Sequence, residues 1–233
     1  MAGLAVDATL RAAALRRASE GGAGEPEIPF APRREDLRRK LRAGAASTLV
    51  VFAVDASDSM GAERRMAAAK GAALALLAAA YRKRYRVALV AFRDRRARVL
   101  LPPVASCELV RQRLRRLSTG GATPLADGLV RSWRLIRTER LKRPRLRALL
   151  VLLSDGEANV PLDPGMDCLA EACALGRRIR REAVRSVLID IRPQASASAQ
   201  LLKLAAALGG SYHHPRTLGS AAVVEAVLSQ EGP

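Results

Sequence analysis

Asp55-Ala-Ser57-Asp58-Ser59 stands directly behind the apolar run 49–54 and directly ahead of a helical pattern. That placement puts one carboxylate and two hydroxyls at the carboxyl end of a buried strand, where open α/β sheets bind ligands. Two further segments complete the set. Thr123 lies in Thr119-Gly-Gly-Ala-Thr-Pro-Leu125, ahead of another helix, and Asp155 closes the run Leu149-Leu-Val-Leu-Leu153-Ser-Asp-Gly156. Three loops thus bring oxygen donors and no His or Cys. A small set of hard oxygen ligands suits Mg²⁺, which keeps several waters and leaves room for an outside ligand. A bland alternative makes Asp155-Gly156 a strand-ending turn and Ser59 a cap on the next helix.

In residue type, order and strand-end placement, the three segments resemble the metal-ion-dependent adhesion site of the von Willebrand factor A family. The resemblance implies Mg²⁺, with Mn²⁺ as a substitute. It also implies that Ser57, Ser59 and Thr123 are ligands, directly or through water. Asp55 and Asp155 would hold coordinated waters and lower the positive charge. An acidic residue of a partner commonly fills the last metal position in that family. Asp58 departs from the pattern, where Gly is usual; Asp is among the better substitutes at such backbone angles.

The elements that must position these residues alternate along the chain. The sequence predicts strands over 48–54, 86–92, 97–101, 147–153, 185–191 and 210–214. Met66, Ala69, Ala73, Leu77 and Ala80 follow the spacing of a helix packed on a sheet. Leu109, Val110, Leu114 and Leu117 form a second stripe, and Leu125, Leu129, Trp133 and Ile136 a third. Residues 167–183, 198–208 and 218–229 supply further helices. Only Arg93 to Arg96 joins the second and third strands, so that pair is expected antiparallel. The other connections carry helices and imply parallel pairing with right-handed crossovers. The expected fold is α/β, a doubly wound, mostly parallel six-stranded sheet with one antiparallel edge strand. Residues 1–46 read as a helical extension and linker, with helical pieces at 4–18 and 32–42, and residues 47–230 as the metal-site domain.

Composition narrows the function. The chain has 233 residues, 49% of them hydrophobic and 3% aromatic, so Ala, Leu and Val must fill its core. No apolar run is long enough for a bilayer, and the first residues lack a signal-peptide core, so a cytoplasmic protein is expected. Residues 62–147 hold 23 Lys or Arg against 5 Asp or Glu, an excess equal to the net charge of the whole chain, +18. Arg131, Arg134, Arg137 and Arg140 recur every three residues, a basic stripe suited to an acidic protein segment or to solvent. Single-strand readers add stacking aromatics, which are nearly missing here, so nucleic acid is disfavoured. Cys107, Cys168 and Cys173 form no zinc pattern and read as structural thiols. His213 and His214 point to opposite sides of an extended chain and read as structural. No Ser-His-Asp or Cys-His arrangement supports hydrolysis.

Beyond the metal residues the resemblance narrows. Val54-Asp-Ala-Ser-Asp-Ser-Met60, Arg65-Met-Ala-Ala-Ala-Lys-Gly71, Val90-Ala-Phe92, Val99-Leu-Leu-Pro-Pro103, Thr119 to Ala126 and Leu153 to Pro161 look like the A domain of the magnesium chelatase D subunit. Val6 to Ala14 and Glu35-Asp-Leu-Arg-Arg-Lys40 extend the likeness to about residues 5–215. It implies an AAA+ ATPase partner and a large porphyrin-binding subunit, with ATP hydrolysis driving a divalent metal into a tetrapyrrole. This chain has no G-x-x-x-x-G-K-[ST] loop, so no ATPase or chelatase activity is expected of it alone. Full-length D subunits carry an ATPase-like domain and an acidic linker; a separately encoded subunit or a fragment would explain their absence, and the starting Met favours the first. Glu157 stands where Arg is common in that family. The alternative is an A-domain adaptor for a MoxR-type AAA+ ATPase in protein assembly, with no tetrapyrrole involved.

Overall fold

The computed structural model describes residues 5–19, 32–38, 47–57, 71, 74, 76–117, 120–192 and 197–214. Ser59, Asp58, most of the stripe from Met66 to Ala73 and the expected helix at 218–229 lie outside the described residues. Contacts divide the chain into two units, with the division after Ala45.

In the first unit, helix α1 (Val6–Ser19) is joined to residues 32–38 by side-chain grips. The Arg16 fork donates to both Asp36 oxygens, at 2.9 Å from Nη2 and 3.1 Å from Nε. Arg38 N donates to Thr9 Oγ1 at 3.0 Å. Residues 32–42 do not form the expected helix in their described part. Arg34–Asp36 is one 3₁₀ turn, and Leu37 is already extended, with φ −63° and ψ 120°. Asp36 Oδ2 accepts the Arg33 N–H at 2.8 Å, the capping-box bond of a helix start. The turn is not continued because the Arg38 backbone bonds to α1 and the residue before it instead, its N–H to Thr9 Oγ1 and its carbonyl accepting the Ala5 N–H at 2.8 Å. The Arg16 guanidinium holds the Asp36 carboxyl below the usual carboxylate range.

The second unit is a six-stranded sheet. Its strands are β1 (Thr48–Asp55), β2 (Arg86–Arg93), β3 (Arg96–Val104), β4 (Arg147–Ser154), β5 (Arg185–Asp190) and β6 (Ser211–His213). In space they run β3-β2-β1-β4-β5-β6. All neighbouring pairs are parallel except β2 and β3. The sequence expectation of fold class is met. β3 is longer than the predicted 97–101 because Pro102 and Pro103 sit on an edge strand, where a missing N–H is tolerated.

Continuous apolar strands follow from burial on both faces. Val50, Phe52 and Val54 face one core, shared with the helix α2 (helical through residues 76–82) and with α3 (Cys107–Arg115), through Leu76, Leu77, Val110 and Leu114. Leu49, Val51 and Ala53 face the other core. It is filled by α4 (Leu125–Lys142), α5 (Cys168–Arg181) and α6 (Ala199–Leu208), through Leu129, Trp133, Ile179 and Leu204. Gly128 lets α4 lie against the sheet. A Cβ there would come within 2.6 Å of the Phe92 ring.

After β3 the chain crosses to the other side of β1 and continues with β4. The direction of winding therefore reverses between β1 and β4. In doubly wound sheets this switch point opens a crevice at the carboxyl ends of the strands.

Candidate metal centre

Asp55 is the last residue of β1, at that switch point, and is 2% exposed. Its Oδ1 accepts the Ser57 N–H at 3.0 Å and the Ser57 hydroxyl at 2.7 Å. This is a tight Asx turn, the conformation that a short carboxylate side chain favours. Its Oδ2 accepts the Ser154 hydroxyl at 2.8 Å. Burial, aided by the negative charge of Asp155, pushes the Asp55 carboxyl up to about 6; the bonds from Ser57 and Ser154 work in the opposite direction.

The loop after β1 is tied to the loop before α4, because Gly120 N donates to Ala56 O at 2.9 Å. Ala56 N in turn donates to Phe92 O at 3.0 Å. The Thr123 loop is tied to the loop after β4: Thr123 N donates to Asn159 Oδ1 at 2.6 Å, and Asn159 N donates to Thr123 O at 3.2 Å. Ser154, the last residue of β4, closes the ring back to Asp55. Thr123 and Asp155 are buried, at 2% and 3% exposure. Asp155 Oδ1 accepts the Glu157 N–H at 3.0 Å, a second Asx turn.

Gly156 makes the turn after Asp155 with φ +89°, and a Cβ there would approach Ser198 Oγ to 2.7 Å. Ser198 also caps α6 and lies 3.4 Å from the Asp155 carbonyl, to which its hydroxyl donates. Behind it, fully buried Asp190 accepts from Tyr212 OH at 2.6 Å and from Arg192 Nη2 at 2.9 Å. These bonds from Arg192 and Tyr212 overcome its burial and hold Asp190 below the usual carboxylate range.

The structure thus brings four sequence-predicted residues, Asp55, Ser57, Thr123 and Asp155, to one end of the sheet on three mutually bonded loops. Ser59 lies outside the described residues. Sequence reasoning missed Ser154, Asn159 and Ser198, which orient the loops. Ser154 and Asn159 stood inside a quoted motif, yet nothing local marks a bond that spans 99 or 36 residues.

The donor chemistry fits a hard dication. Two carboxylates repel each other in a buried crevice, and a hydroxyl whose proton goes to Asp55 keeps its oxygen lone pairs for a cation. Among the described residues, no group of three or more His, Cys, Asp or Glu side chains gathers. The described donors, the Asp55 and Asp155 carboxylates with the Ser57 and Thr123 hydroxyls, are all oxygen, which suits Mg²⁺.

The expected basic stripe is partly used inside the fold. Arg140 donates to Glu182 O at 2.6 Å and Ala183 O at 3.1 Å, satisfying the end of α5. Arg137 lies over Trp133, 5.2 Å from the ring centroid, with Arg178 at 4.6 Å. Arg131 and Arg134 remain exposed. The two histidines bond locally, His213 Nε2 with Ser211 Oγ and His214 Nε2 with Arg192 O, both at 3.0 Å. Cys168 and Cys173 are half-buried free thiols. Among the described residues no helix is long and apolar enough to cross a membrane.

Residues 50–157 match the von Willebrand factor type A domain, the segment that runs from β1 through the Asp155 turn. The vWF domain of the pili tip protein Mfa5 from Porphyromonas gingivalis superimposes with TM-score 0.59, covering 81% of this chain and 98% of that one at 14% identity. The chain belongs to the von Willebrand factor type A family. Manganese-loaded TRAP protein of Plasmodium vivax shares the fold with TM-score 0.57, over 78% of this chain and 73% of that one, at 15% identity. An uncharacterised protein of Mycobacterium tuberculosis is 40% identical over 81% of this chain and 28% of its own length. A Magnesium-chelatase 67 kDa subunit of Chlorobaculum parvum is 36% identical over 84% of this chain and 33% of its own length. An uncharacterised protein of Methanocaldococcus jannaschii is 38% identical over 58% of this chain and 77% of its own length. This von Willebrand factor type A chain therefore spans about a third of the chelatase subunit that it matches.

Proposed function

We propose that this chain is a Mg²⁺-dependent interaction subunit of an ATP-dependent metal chelatase, docking an AAA+ ATPase partner. The observation that supports the reading most is the bonded ring around Asp55, in a chain that over 84% of its own residues is 36% identical to a third of a Magnesium-chelatase 67 kDa subunit. Ser57, Ser59 and Thr123 would hold Mg²⁺, with Asp55 and Asp155 engaged through water. The ion, when bound, supplies a positive charge with a position open to an outside carboxylate. An acidic residue of the partner fills that position.

The chain's own residues do the positioning. Ser57 and Ser154 fix the Asp55 carboxylate, Asn159 holds the Thr123 backbone, and Gly156 turns Asp155 toward the crevice. The chain contributes no phosphate loop, so the energy for inserting a metal into a tetrapyrrole comes from the partner. The complex is cytoplasmic and includes a porphyrin-binding subunit.

Copurification from the native host, in Mg²⁺ and in EDTA, tests this reading. It requires an AAA+ ATPase and a tetrapyrrole-binding protein in the Mg²⁺ eluate, both diminished by EDTA and by Asp55→Ala. Recovery of the same ATPase after EDTA and after Asp55→Ala removes the metal site as the docking point. An ATPase recovered without any tetrapyrrole-binding protein removes the chelatase.

A further inference from the structure

The β2–β3 hairpin and the end of α3 enclose a cleft of about 420 Å³ into which neither the fold nor the metal loops need to place charge, yet six arginines line it. Arg93, Arg95, Arg96 and Arg98 come from the hairpin, and Arg113 and Arg116 from α3 and its cap. Their convergence follows from register. Ala91 lies opposite Arg98 and Arg93 opposite Arg96, so these side chains share one face of the pair. α3 packs Val110 and Leu114 beneath that same face, which leaves Arg113 and Arg116 at the rim. Arg95, Arg96, Arg98, Arg113 and Arg116 are exposed, and none has an ion pair among the described residues. Asp94 is the one acid among the described lining residues; it pairs with Arg93 at 3.6 Å. So dense an unpaired positive charge is unfavourable in isolation and raises the local concentration of anions.

Three features identify the anion. Among the described residues no aromatic side chain lines the cleft, so bases would find no described ring to stack on. α3 presents its carbonyl end, whereas phosphate sites favour helix N-termini. Leu100 and Leu117 give the cleft an apolar floor between the arginines, which suits an apolar side chain flanked by carboxylates. Its position identifies the context. The hairpin turn abuts the Thr123 loop so closely that a Cβ on Gly121 would collide with the Asp94 carboxylate. The cleft therefore opens beside the candidate metal centre, at the same end of the sheet.

We propose that the six-arginine cleft binds an acidic polypeptide segment of the partner, beside the carboxylate that completes the metal shell. This rests on the docking role proposed above and adds a second, metal-independent anchor to it. Bidentate arginine–carboxylate pairing supplies orientation, and the charge field supplies fast, salt-sensitive encounter.

The test is fluorescence anisotropy of the full chain with a labelled acidic peptide, Glu-Asp-Leu-Glu-Asp-Glu. The peptide should bind in EDTA and bind equally to Asp55→Ala. Arg96→Glu with Arg98→Glu, and separately Arg113→Glu with Arg116→Glu, should each weaken it on the order of tenfold or more, since exposed pairs are individually modest and reversal adds repulsion. Arg134→Glu should change nothing. Circular dichroism melts should match wild type, because the altered side chains are exposed. Equal affinity in both double variants overturns the cleft. A single-stranded oligonucleotide that binds more tightly than the peptide, with the same arginine dependence, overturns the choice of a polypeptide. The two readings fail separately. Loss of Mn²⁺ binding in Asp55→Ala with arginine-independent peptide binding sinks only the cleft, whereas arginine-dependent peptide binding without any Mn²⁺ binding sinks only the metal centre.

Discussion

Replacing Asp55 with Asn isolates the electrostatic tension in the crevice. The carboxyl is 2% exposed and raised from 3.8 to about 6, by burial first and by Asp155 after it. A raised carboxyl pKa means that the folded state holds its proton more tightly than the unfolded chain. Stability from this group is therefore fully present below the unfolded value near 3.8, and is lost as pH rises through about 6. A shift of about two units corresponds to about 3 kcal/mol, an upper figure because the metal-free crevice can relax. Asn is isosteric, cannot ionise, and can keep the contacts: Oδ1 for Ser57 and an amide N–H toward Ser154 Oγ. In EDTA, Asp55→Asn should be more stable than wild type by about 2–3 kcal/mol near pH 7.5, and by less than about 1 kcal/mol near pH 4.5. Asp36, Glu139 and Asp190 have lowered values and act with the opposite sign, but they cancel in the difference between the two proteins. Urea denaturation at both pH values reads the difference directly. A stabilisation that is the same at both, or a destabilised variant at high pH, refutes the assignment of buried-charge strain to Asp55.

Other consequences follow from single contacts. Ser154→Ala removes the donor to Asp55 Oδ2, so it should raise the pH at which divalent metal begins to bind; an unchanged metal-binding pH profile would contradict this. Glu139, 4% exposed, accepts from Lys142 at 2.9 Å and Arg143 at 2.7 Å, and its carboxyl is held low. Glu139→Gln should lose about 2–3 kcal/mol near neutral pH, and the deficit should shrink as pH falls through the lowered value of Glu139, where wild type loses the same charge. Gly128→Ala should lower the thermal midpoint despite its better helix propensity, because overpacking against Phe92 costs about 1–3 kcal/mol and the propensity gain is about 1 kcal/mol.

Much of the fold was legible because a doubly buried parallel strand reads as an unbroken apolar run, as Leu49 to Val54 and Leu149 to Leu153 do. The short Arg93–Arg96 connection likewise disclosed the antiparallel pair. In the described part of 32–42, residues 32–38, the helical pattern misled because charge composition there is indifferent to structure, whereas the Arg38 backbone bonds to Thr9 and Ala5 of the first segment and Asp36 meets Arg16 twenty residues earlier. At the site, residue types at strand ends pointed to Asp55, Ser57, Thr123 and Asp155. The bonds that orient them, from Ser154, Asn159 and Ser198, depend on which loops meet, which only the sheet order decides. The arginine stripe on α4 illustrates the same limit. Its three-residue spacing was visible, but the capture of Arg140 by the end of α5 and of Arg137 by Trp133 was not. Conversely, the hairpin arginines between 93 and 98 are adjacent along the chain, but their sharing of a cleft with Arg113 and Arg116 becomes visible only once β2, β3 and α3 pack.

Titration of Mn²⁺ by isothermal calorimetry, in wild type and in the Asp55→Ala, Asp155→Ala double variant, tests the central claim most directly. Wild type should bind one ion weakly, with affinity that falls below about pH 6 as the Asp55 carboxyl takes up its proton. The double variant should show no binding heat and retain the cooperative unfolding of the domain. Equal Mn²⁺ affinity in the two proteins would contradict the metal centre.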